Sequence, residues 1–471
     1  MSTTLVHFLA EADLSSRDVP YKDPKEIPDV FTSYRKSVEP LRDAPRKILP
    51  TPKSLPSLAN YVPPQPGPFS IPETYEGVEA ALLKPLKAQP LLKTPAIQPE
   101  GTRSAHPYHG GSSTGHKRVQ SLLGSAAMTH YKDTRNGLLG TDFSTKLSAW
   151  LALGCITARQ VHWEMMDFEE GRNDQYKGTE GYGKGENKGT AAIRFELLWR
   201  DYMRLCTRKF GPRLFRIEGF RNDDNYPWKT PGTKGFGPEE QEMLERFLNG
   251  TTGTGLIDAS QRELFHSGYT SNRARQNVAS YLAKHLGINW KLGAEWYECL
   301  LTDYDLSSNW GNWQYVAGVG NDPRGEARVF NPVKQACDYD PQGEYCKAWV
   351  HELRDLEEPQ EIFQVWKVAP DRRAGLGLEG LDMVEKPLKK IDFRVGGKPR
   401  NSGGKYGGSS RNKANGAGEG GRGRGGGSFG TRNLAFRGRG RGDKSRGQSR
   451  QGMMDKAGAR DLGDGMDGRE G

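Results

Sequence analysis

The sequence predicts a mainly α-helical protein that begins with an irregular, proline-rich segment and ends with a disordered, glycine- and arginine-rich tail. Apolar residues recur at helical spacing over 119–357, and few runs there alternate with the period of two that strands require. Proline is concentrated over 40–75, and glycine is concentrated over 386–471. We therefore expect the ordered core to lie in the middle of the chain.

Composition narrows the class of protein and of partner. The net charge of +10 favours a polyanionic partner, although the tail supplies much of it. The 5 cysteines form no CxxC pair and no metal-ligand spacing, which favours reduced thiols in an intracellular setting and predicts no metal site. No apolar run reaches the length of about 18 residues that a membrane-spanning helix requires. The sequence assigns no compartment.

The N-terminal part, 1–118, is expected to be largely irregular. It carries one short helical signal over 27–40, where Val30, Phe31, Tyr34 and Val38 have helical spacing. The proline-rich stretch that follows should be extended or irregular. The segment HPYHGGSSTGHK, 106–117, has the composition of a loop.

Two further stretches are predicted to be disordered. A polar, glycine-rich insertion over 171–190 is expected to form a disordered surface loop. The RG/RGG repeats within 386–471 cannot bury apolar surface. Their arginines offer charged donors to phosphates and flat faces to bases, which indicates RNA or single-strand binding. A solubilising tail without a dedicated ligand is the alternative.

The first segment with chemical character is 131–154. Ser144, Thr145 and Ser148 flank a predicted helix start. Hydroxyls and free backbone N–H groups at such a position can bind a phosphate. An ordinary helix cap explains the same residues, so this segment alone does not establish a site.

The second segment is an amphipathic helix over 192–211. Glu196, Trp199 and Arg200 lie on a face separate from its apolar stripe. The order of the two charges suits a surface ion pair. An indole between them, however, fits a ligand cleft better.

The third and fourth segments are 255–290 and 303–324. Asn272 and Arg275 are neighbours at a predicted helix start, where they could bind a ring edge or an anion, or simply belong to a capped surface helix. The last segment combines rings, carboxylates and amides with small residues, which suits a flat polar cofactor better than a plain core. Its rings are Trp310, Trp313 and Tyr315, and Asp303 and Asp305 precede them.

Together these segments resemble the photolyase/cryptochrome family, and most closely its DASH branch. The family pattern GNW-[TQ]-Y-x-AGVGNDPR is almost unchanged at 311–324, ELxWR[ED] matches 196–201, and [MT]xNRxRQ matches 270–276. The resemblance covers about 15–356. It implies a photolyase-type helical domain that binds FAD non-covalently.

The resemblance also implies which residues contact FAD. A YxxxR…TSxLS segment holds the pyrophosphate in the family, and Ser144 stands here in place of the usual Thr. Asn309 would face flavin N5, and Arg275 would pair with Asp303. In the family's GKTG turn, Thr251 replaces the usual Lys. The implied cofactor residues are Tyr131, Ser144, Thr145, Lys146, Leu147, Ser148, Glu196, Arg200, Asn272, Arg275, Asp303, Asp305 and Asn309.

The same resemblance implies a pocket for a flipped pyrimidine dimer and a chain of electron carriers. Glu196 would contact the dimer and Trp199 would stack on it, while Asn309 would tune the flavin. Tyr315 stands where double-strand photolyases have a second Trp, and the weaker stacking favours single-stranded DNA. The implied electron carriers are Trp313, Trp290 and, as a candidate, Trp228. Taken alone, each of these tryptophans is better explained by core packing.

We therefore expect blue-light repair of cyclobutane pyrimidine dimers in single-stranded DNA by a monomeric photolyase-type enzyme. A light sensor without repair, an RNA-binding protein with a vestigial flavin site, and a fragment that cannot retain FAD are the alternatives. Family members begin with an α/β antenna domain, and 1–118 is interpreted as its remnant followed by a linker. An antenna folate, methenyltetrahydrofolate, is usual in the family, but the domain beside which it sits is expected to be largely absent.

Overall fold

The computed structural model describes residues 19–394 except for 42, 44, 50–52, 55–56, 58–59, 62–71, 89–99 and 323–328. The described residues belong to one compact unit. Its regular structure is helical, which confirms the predicted fold class. Within the described part of the chain, the sole β-type pairing is one parallel bridge between Lys229 and Ile288.

Seventeen α-helices are described, and a π-helical turn over Tyr281–Leu286 follows the tenth. In chain order they are α1 (Phe31–Val38), α2 (Tyr75–Ala88), α3 (Ser112–Gly124), α4 (Ala127–Thr134), α5 (Ser148–Ala152), α6 (Ala158–Glu169), α7 (Lys188–Phe210), α8 (Pro238–Asn249), α9 (Gly255–Ser267), α10 (Asn272–Ser280), α11 (Trp290–Leu300), α12 (Leu306–Ala317), α13 (Pro332–Tyr339), α14 (Glu344–Trp349), α15 (Pro359–Phe363), α16 (Pro370–Arg373) and α17 (Asp382–Glu385).

Shorter 3-10 turns connect several of these helices. They are Pro24–Glu26, Glu39–Leu41, Asp174–Tyr176, Gly211–Phe215, His351–Leu353 and Val365–Lys367. Among the helices described, none combines the length and the apolar content that would let it cross a membrane.

Helix α7 is the longest of the described helices and forms one wall of the candidate site. The Asn187 side chain caps its N-terminus by accepting the backbone N–H groups of Gly189 and Thr190. The helix ends at Gly211, whose φ of 55° favours glycine. Its apolar face, which includes Leu198 and Tyr202, is buried in the core, so its polar face remains available to the site.

The interior consists of three clusters of buried apolar side chains. The largest joins α1 and α7 to α8–α12. A second lies among α13–α17, and a third lies among α3–α7. The first and third clusters meet along α7, and this arrangement holds the polar face of that helix in place.

The structure differs from the disorder predicted for 171–190. Tyr176 is buried, and its ring packs on Phe168 with centroids 5.7 Å apart. Arg194 of α7 is paired with Glu186 of the insertion and with the buried Glu169. Composition could not reveal this order, because the stabilising partners lie in the flanking helices.

The described helices extend on both sides of 119–357, the range predicted for the helical domain. Helix α3 begins before residue 119. Helices continue past residue 357, where Phe363 and Met383 belong with Leu353 to a second cluster of buried apolar side chains. Residues 386–394, assigned to the tail, pack against the domain, and the Leu388 N–H donates to the Thr252 carbonyl at 2.9 Å. The remainder of the predicted tail, 395–471, lies outside the described residues.

Candidate functional site

The four segments singled out in the sequence converge in the structure. Each one, 131–154, 192–211, 255–290 and 303–324, is joined to at least one other by a polar side-chain contact. The contacts are Arg135 to Glu196, Arg200 to the Leu151 carbonyl (3.2 Å), Lys146 to the Tyr269 hydroxyl (3.4 Å), Arg204 to Asp305 (2.9 Å) and Arg275 to Asp303 (2.8 Å).

Arg275 and Asp303 form a two-pronged ion pair. One guanidinium nitrogen donates to both carboxylate oxygens, at 2.8 and 3.1 Å, and Nε donates to the Thr270 carbonyl at 2.8 Å. The Asp303 side chain is only 2% exposed. Because a buried carboxylate requires a partner, this pair fixes α10 against the start of α12.

Asn272, which was predicted to contact the cofactor, lies elsewhere on α10. It is the first residue of that helix and is exposed. The neighbouring Arg273 donates to the Asn136 side chain at 2.7 Å. Of the predicted pair Asn272 and Arg275, Arg275 is therefore the one whose side chain bonds to another of the four segments, through Asp303.

Asp305 caps helix α12 and holds an arginine that sequence reasoning missed. One carboxylate oxygen accepts the Ser308 N–H at 2.8 Å, and the other accepts from Arg204 at 2.9 Å. Burial opposes ionisation, but Arg204 and Arg200 hold the pKa of Asp305 below its usual range. Arg204 follows Arg200 by one helical turn, so the spacing on α7 could have revealed it.

The loop before α5 has a backbone conformation suited to an anion. Ser144 and Lys146 both have positive φ, at 67° and 57°, and Leu147 then returns to the right-handed region. Successive N–H groups in such alternating conformations form a concavity for anions. Strained non-glycine residues of this kind concentrate at functional sites, which supports a role for the segment.

Arg118 holds this loop in place from α3. Its guanidinium donates to the carbonyls of Thr145 at 3.1 Å and Thr141 at 2.9 Å, and to Asp142 at 2.9 Å. Lys146 points inward and is buried, and this burial lowers its pKa to about 8. The other predicted members of the segment, Thr145 and Ser148, are half-buried beside it.

Several buried polar atoms near these residues have no hydrogen-bond partner among the described residues. They are the hydroxyls of Tyr108 and Tyr297 and the Nε and Nη1 atoms of Arg204. Buried donors are normally satisfied, so such a group of them points to a polar ligand. Phosphate and ribityl oxygens of a dinucleotide are acceptors of the right kind, and the donor set therefore fits FAD.

Asn309 is buried in the middle of α12. Its side-chain amide donates to the Ala294 carbonyl of α11 at 2.9 Å, which fixes the orientation of the side chain. In the Gly250–Gly253 turn, Thr251 stands where the family pattern has a Lys. Asp258 accepts the N–H groups of Thr252 at 2.6 Å and Gly253 at 2.9 Å, which holds the turn against α9.

Glu196 lies between cationic side chains on the polar face of α7. Arg135 pairs with it, and Tyr131 is buried next to the same pair. Burial raises the pKa of Glu196 despite the nearby positive charges. Its carboxyl group is therefore protonated more readily than an exposed glutamate would be.

Trp199 is held between two other rings. Phe31 of α1 stacks on it with centroids 3.7 Å apart and planes 13° from parallel. Tyr315 meets it edge-on, at 5.6 Å and 84°. The predicted pair of Trp199 and Tyr315 is thus brought together, whereas the support from Phe31 was not predicted.

Two of the predicted electron carriers lie on neighbouring helices. The Trp313 ring of α12 packs directly over Gly293 of α11, where a Cβ atom would come within 2.2 Å of it. Trp290 begins the same helix one turn earlier, is fully buried, and donates its Nε1–H to the Ile217 carbonyl at 3.0 Å.

Trp228 lies on the outer side of this region. Its neighbour Lys229 donates to the Gly287 carbonyl at 2.9 Å and accepts from the Asn289 N–H at 3.0 Å. These bonds bind the Trp228 segment beside Trp290. Trp228 is half-buried and stacks on Tyr226 at 5.1 Å. Trp313 and Trp290 are therefore buried, and Trp228 is the more exposed of the three tryptophans.

Comparison with known proteins identifies the family to which the chain is similar. The family described as the FAD binding domain of DNA photolyase matches residues 193–385. A putative mitochondrial cryptochrome DASH of Neurospora crassa is 52% identical over 405 residues, which cover 82% of this chain and 54% of that protein. A cryptochrome DASH of Natronomonas pharaonis is 37% identical, over 79% of this chain and 69% of that protein.

The solved structures include a similar fold. The crystal structure of a Synechocystis cryptochrome superposes with a TM-score of 0.59 at 35% identity, over 79% of this chain and 68% of that one. This chain spans between about half and two thirds of the length of most of these curated relatives. Both the predicted family and the predicted cofactor are confirmed: the chain belongs to the cryptochrome DASH branch of the photolyase/cryptochrome family and carries its FAD-binding domain.

Proposed function

We propose that this chain repairs cyclobutane pyrimidine dimers in single-stranded DNA under blue light. The observation that carries the proposal is the contact between Trp199, which shares a face of α7 with Glu196, and Tyr315 of α12, together with the raised pKa of Glu196. Two aromatic rings beside a protonatable carboxyl group suit a pyrimidine pair with carbonyl acceptors. When bound, FAD would supply the light-driven electron transfer that opens the dimer.

The residues of the polar cluster would hold the cofactor. The Ser144–Ser148 loop would bind its phosphates through backbone N–H donors in a conformation suited to anions, and Arg204 through its buried Nε and Nη1 groups. Arg275, fixed by Asp303, would contribute positive charge beside the flavin. Asn309, held by the Ala294 carbonyl, would lie against the ring and tune its reduction.

Glu196 would donate a hydrogen bond to a dimer carbonyl. Burial raises the pKa of Glu196, and the protonated carboxyl group is the form able to donate. Trp199 and Tyr315 would line the pocket, and a tyrosine offers a smaller stacking surface than a second tryptophan. Flipping a dimer out of a duplex costs several kcal/mol more than taking it from a single strand, so this pocket favours the single strand.

Trp313, Trp290 and Trp228 would bring electrons inward to the cofactor. The greater exposure of Trp228, beside the buried Trp290 and Trp313, supports this direction. No side chain is required as nucleophile or general base. The RG/RGG repeats, which are predicted to bind RNA, lie outside the described residues. An antenna folate remains a proposal, because this chain covers 54% of the Neurospora crassa relative.

The test is repair of a thymine dimer in a single-stranded oligonucleotide by the full chain carrying FAD. We expect repair in blue light and none in the dark. Glu196→Ala should slow repair roughly ten- to a hundredfold, because one hydrogen bond to the reacting group is lost. Glu196→Gln, which retains a donor, should lose less. Light-driven changes in the flavin spectrum without repair would instead support a light sensor.

A further inference from the structure

The proposed electron chain has a branch that the family patterns do not include. We propose that Trp310 accepts the oxidising equivalent from Trp290 and loses its indole proton to Glu298. This inference rests on the proposed function, because it requires an oxidising equivalent on Trp313 that bound FAD would supply in light. Trp290 would then have two electron donors: Trp228, and Trp310, whose oxidation is coupled to loss of a proton.

The position of Trp310 connects the interior with the surface. Its ring meets Trp290 edge-on, with centroids 5.8 Å apart, and is itself 4% exposed. Its Nε1–H donates to a carboxylate oxygen of Glu298 at 2.8 Å. Glu298 is exposed and lies two helical turns after Trp290 on α11, so one indole links the buried ring to a solvent-facing base.

The hydrogen-bond acceptors distinguish Trp310 from Trp290. An indole that has lost one electron is a strong acid at its N–H group. Trp290 donates to a backbone carbonyl, which is a poor base, whereas Trp310 donates to an ionisable carboxylate. An ionised acceptor forms the stronger bond and can take the proton. The oxidising equivalent should therefore remain on Trp310 longer than on Trp290.

The surroundings of Glu298 support this role. Tyr304 faces the same carboxylate, and burial together with Glu298 raises the pKa of Tyr304. Phe215 lies against the Trp310 ring at 5.0 Å and shields it from water. Tyr304 therefore stays protonated, and Glu298 is the base that can receive a proton from Trp310.

The step balances as a one-electron, one-proton transfer. One electron moves from Trp310 to oxidised Trp290, and the Nε1 proton moves to Glu298. The products are neutral Trp290, a neutral Trp310 radical and a neutral carboxylic acid. A thiol in solution then returns a hydrogen atom to Trp310 and becomes a thiyl radical, and Glu298 releases its proton to water.

The experiment first blocks electron transfer through Trp228 and then removes the proton acceptor Glu298. The full chain with bound FAD and Trp228→Phe is illuminated with a thiol present, and tryptophan radicals are followed by transient absorption and EPR. Glu298→Gln is added in a second variant, because the amide still accepts the hydrogen bond. Glu295→Gln is the matched control, since that exposed carboxylate lies one turn earlier on the same helix.

We expect the Trp228→Phe protein to form a neutral tryptophan radical. Adding Glu298→Gln should shorten its lifetime about tenfold, the ratio expected when a charged acceptor is replaced by a neutral one. Adding Glu295→Gln should change nothing. Trp310→Phe should abolish the neutral radical in the Trp228→Phe background.

Three results would overturn the branch. They are equal lifetimes in the Glu298→Gln and Glu295→Gln variants, a radical unaffected by Trp310→Phe, and no radical in Trp228→Phe although flavin is bound. Absence of flavin absorption before illumination would overturn the proposed function and this branch together, so the two failures are told apart by that spectrum.

Discussion

Phe31 stacks on Trp199 with ring centroids 3.7 Å apart, although the two residues are far apart in the sequence. Helix α1 is held in this position by Lys209, which donates to the Ile27 carbonyl and to Asp29, both at 2.6 Å. The N-terminal helix is therefore part of the wall that positions the indole for a ligand.

Replacing Phe31 should weaken recognition of damaged DNA. Phe31→Leu keeps an apolar side chain but removes the stacked ring, a contact of about 0.5–1.5 kcal/mol. We expect a two- to tenfold lower affinity for a dimer-containing single strand, with little change for undamaged DNA, measured by fluorescence anisotropy. Equal loss for both strands, with an unchanged flavin content, would show that Phe31 does not act through Trp199.

Gly293 should tolerate no side chain, because Trp313 occupies the space where a Cβ atom would lie. Gly293→Ala should lower the free energy of unfolding by about 1–3 kcal/mol through overpacking. The matched control is Gly124→Ala at the exposed end of α3, where the new methyl group meets no atom within 4 Å. Urea denaturation of both variants provides the measurement. A Gly293→Ala protein as stable as the control would contradict the close packing of Trp313 on α11.

Removing Arg275 should leave Asp303 as a buried carboxylate without its partner. We expect Arg275→Ala to lower the free energy of unfolding by about 3–5 kcal/mol. The double variant Arg275→Ala, Asp303→Ala should recover part of that loss, because no uncompensated charge remains. Thermal melts together with the flavin content report the result. If the double variant loses as much free energy of unfolding as the two single variants together, Arg275 and Asp303 do not interact.

The buried Glu263 makes stability depend on pH. Burial raises its pKa from 4.5 to about 7, and its carboxylate accepts from the Tyr345 hydroxyl at 2.6 Å. The native state therefore binds more protons than the unfolded state between these two values. It follows that this group's contribution to stability is present below pH 4.5 and is lost as the pH rises through about 7.

Glu263→Gln should remove that dependence while keeping an acceptor for Tyr345. Its stability relative to the native protein should rise by up to about 1.4 kcal/mol per pH unit across this window and remain constant above it. The exposed Glu379→Gln serves as the control for the change in net charge. Chemical denaturation at several pH values measures the difference. If the free energy of unfolding changes with pH in the same way for the native protein and for Glu263→Gln, the pKa of Glu263 is not raised.

Much of the site follows from local spacing. Glu196, Trp199 and Arg200 share one helix face because a helix repeats every 3.6 residues, and any sequence reading places them together. The same spacing extends to Arg204, which we missed because an arginine near a helix end is usually solvated. Its unsatisfied buried N–H groups become evident only in three dimensions.

Other features depend on contacts between distant parts of the chain. The order of 171–190 is stabilised by Arg194 and Phe168, and the composition of the insertion itself indicates only disorder. The helical domain extends past 357 because Gln364 and Phe393 exchange hydrogen bonds, with the Gln364 amide donating to the Phe393 carbonyl at 2.9 Å. Sequence periodicity in such short helices is too weak to predict their packing.

The measurement that tests the central claim most directly is the absorption spectrum of the purified full chain after incubation with FAD and removal of free cofactor. We expect the structured blue absorption of a protein-bound flavin, with about one flavin per chain, and a much lower flavin content in Arg204→Ala, whose buried donors have no other acceptor than Asp305 among the described residues. A folded protein that retains no flavin, or an Arg204→Ala variant that retains as much as the native chain, would contradict the account that the four segments together form one cofactor site.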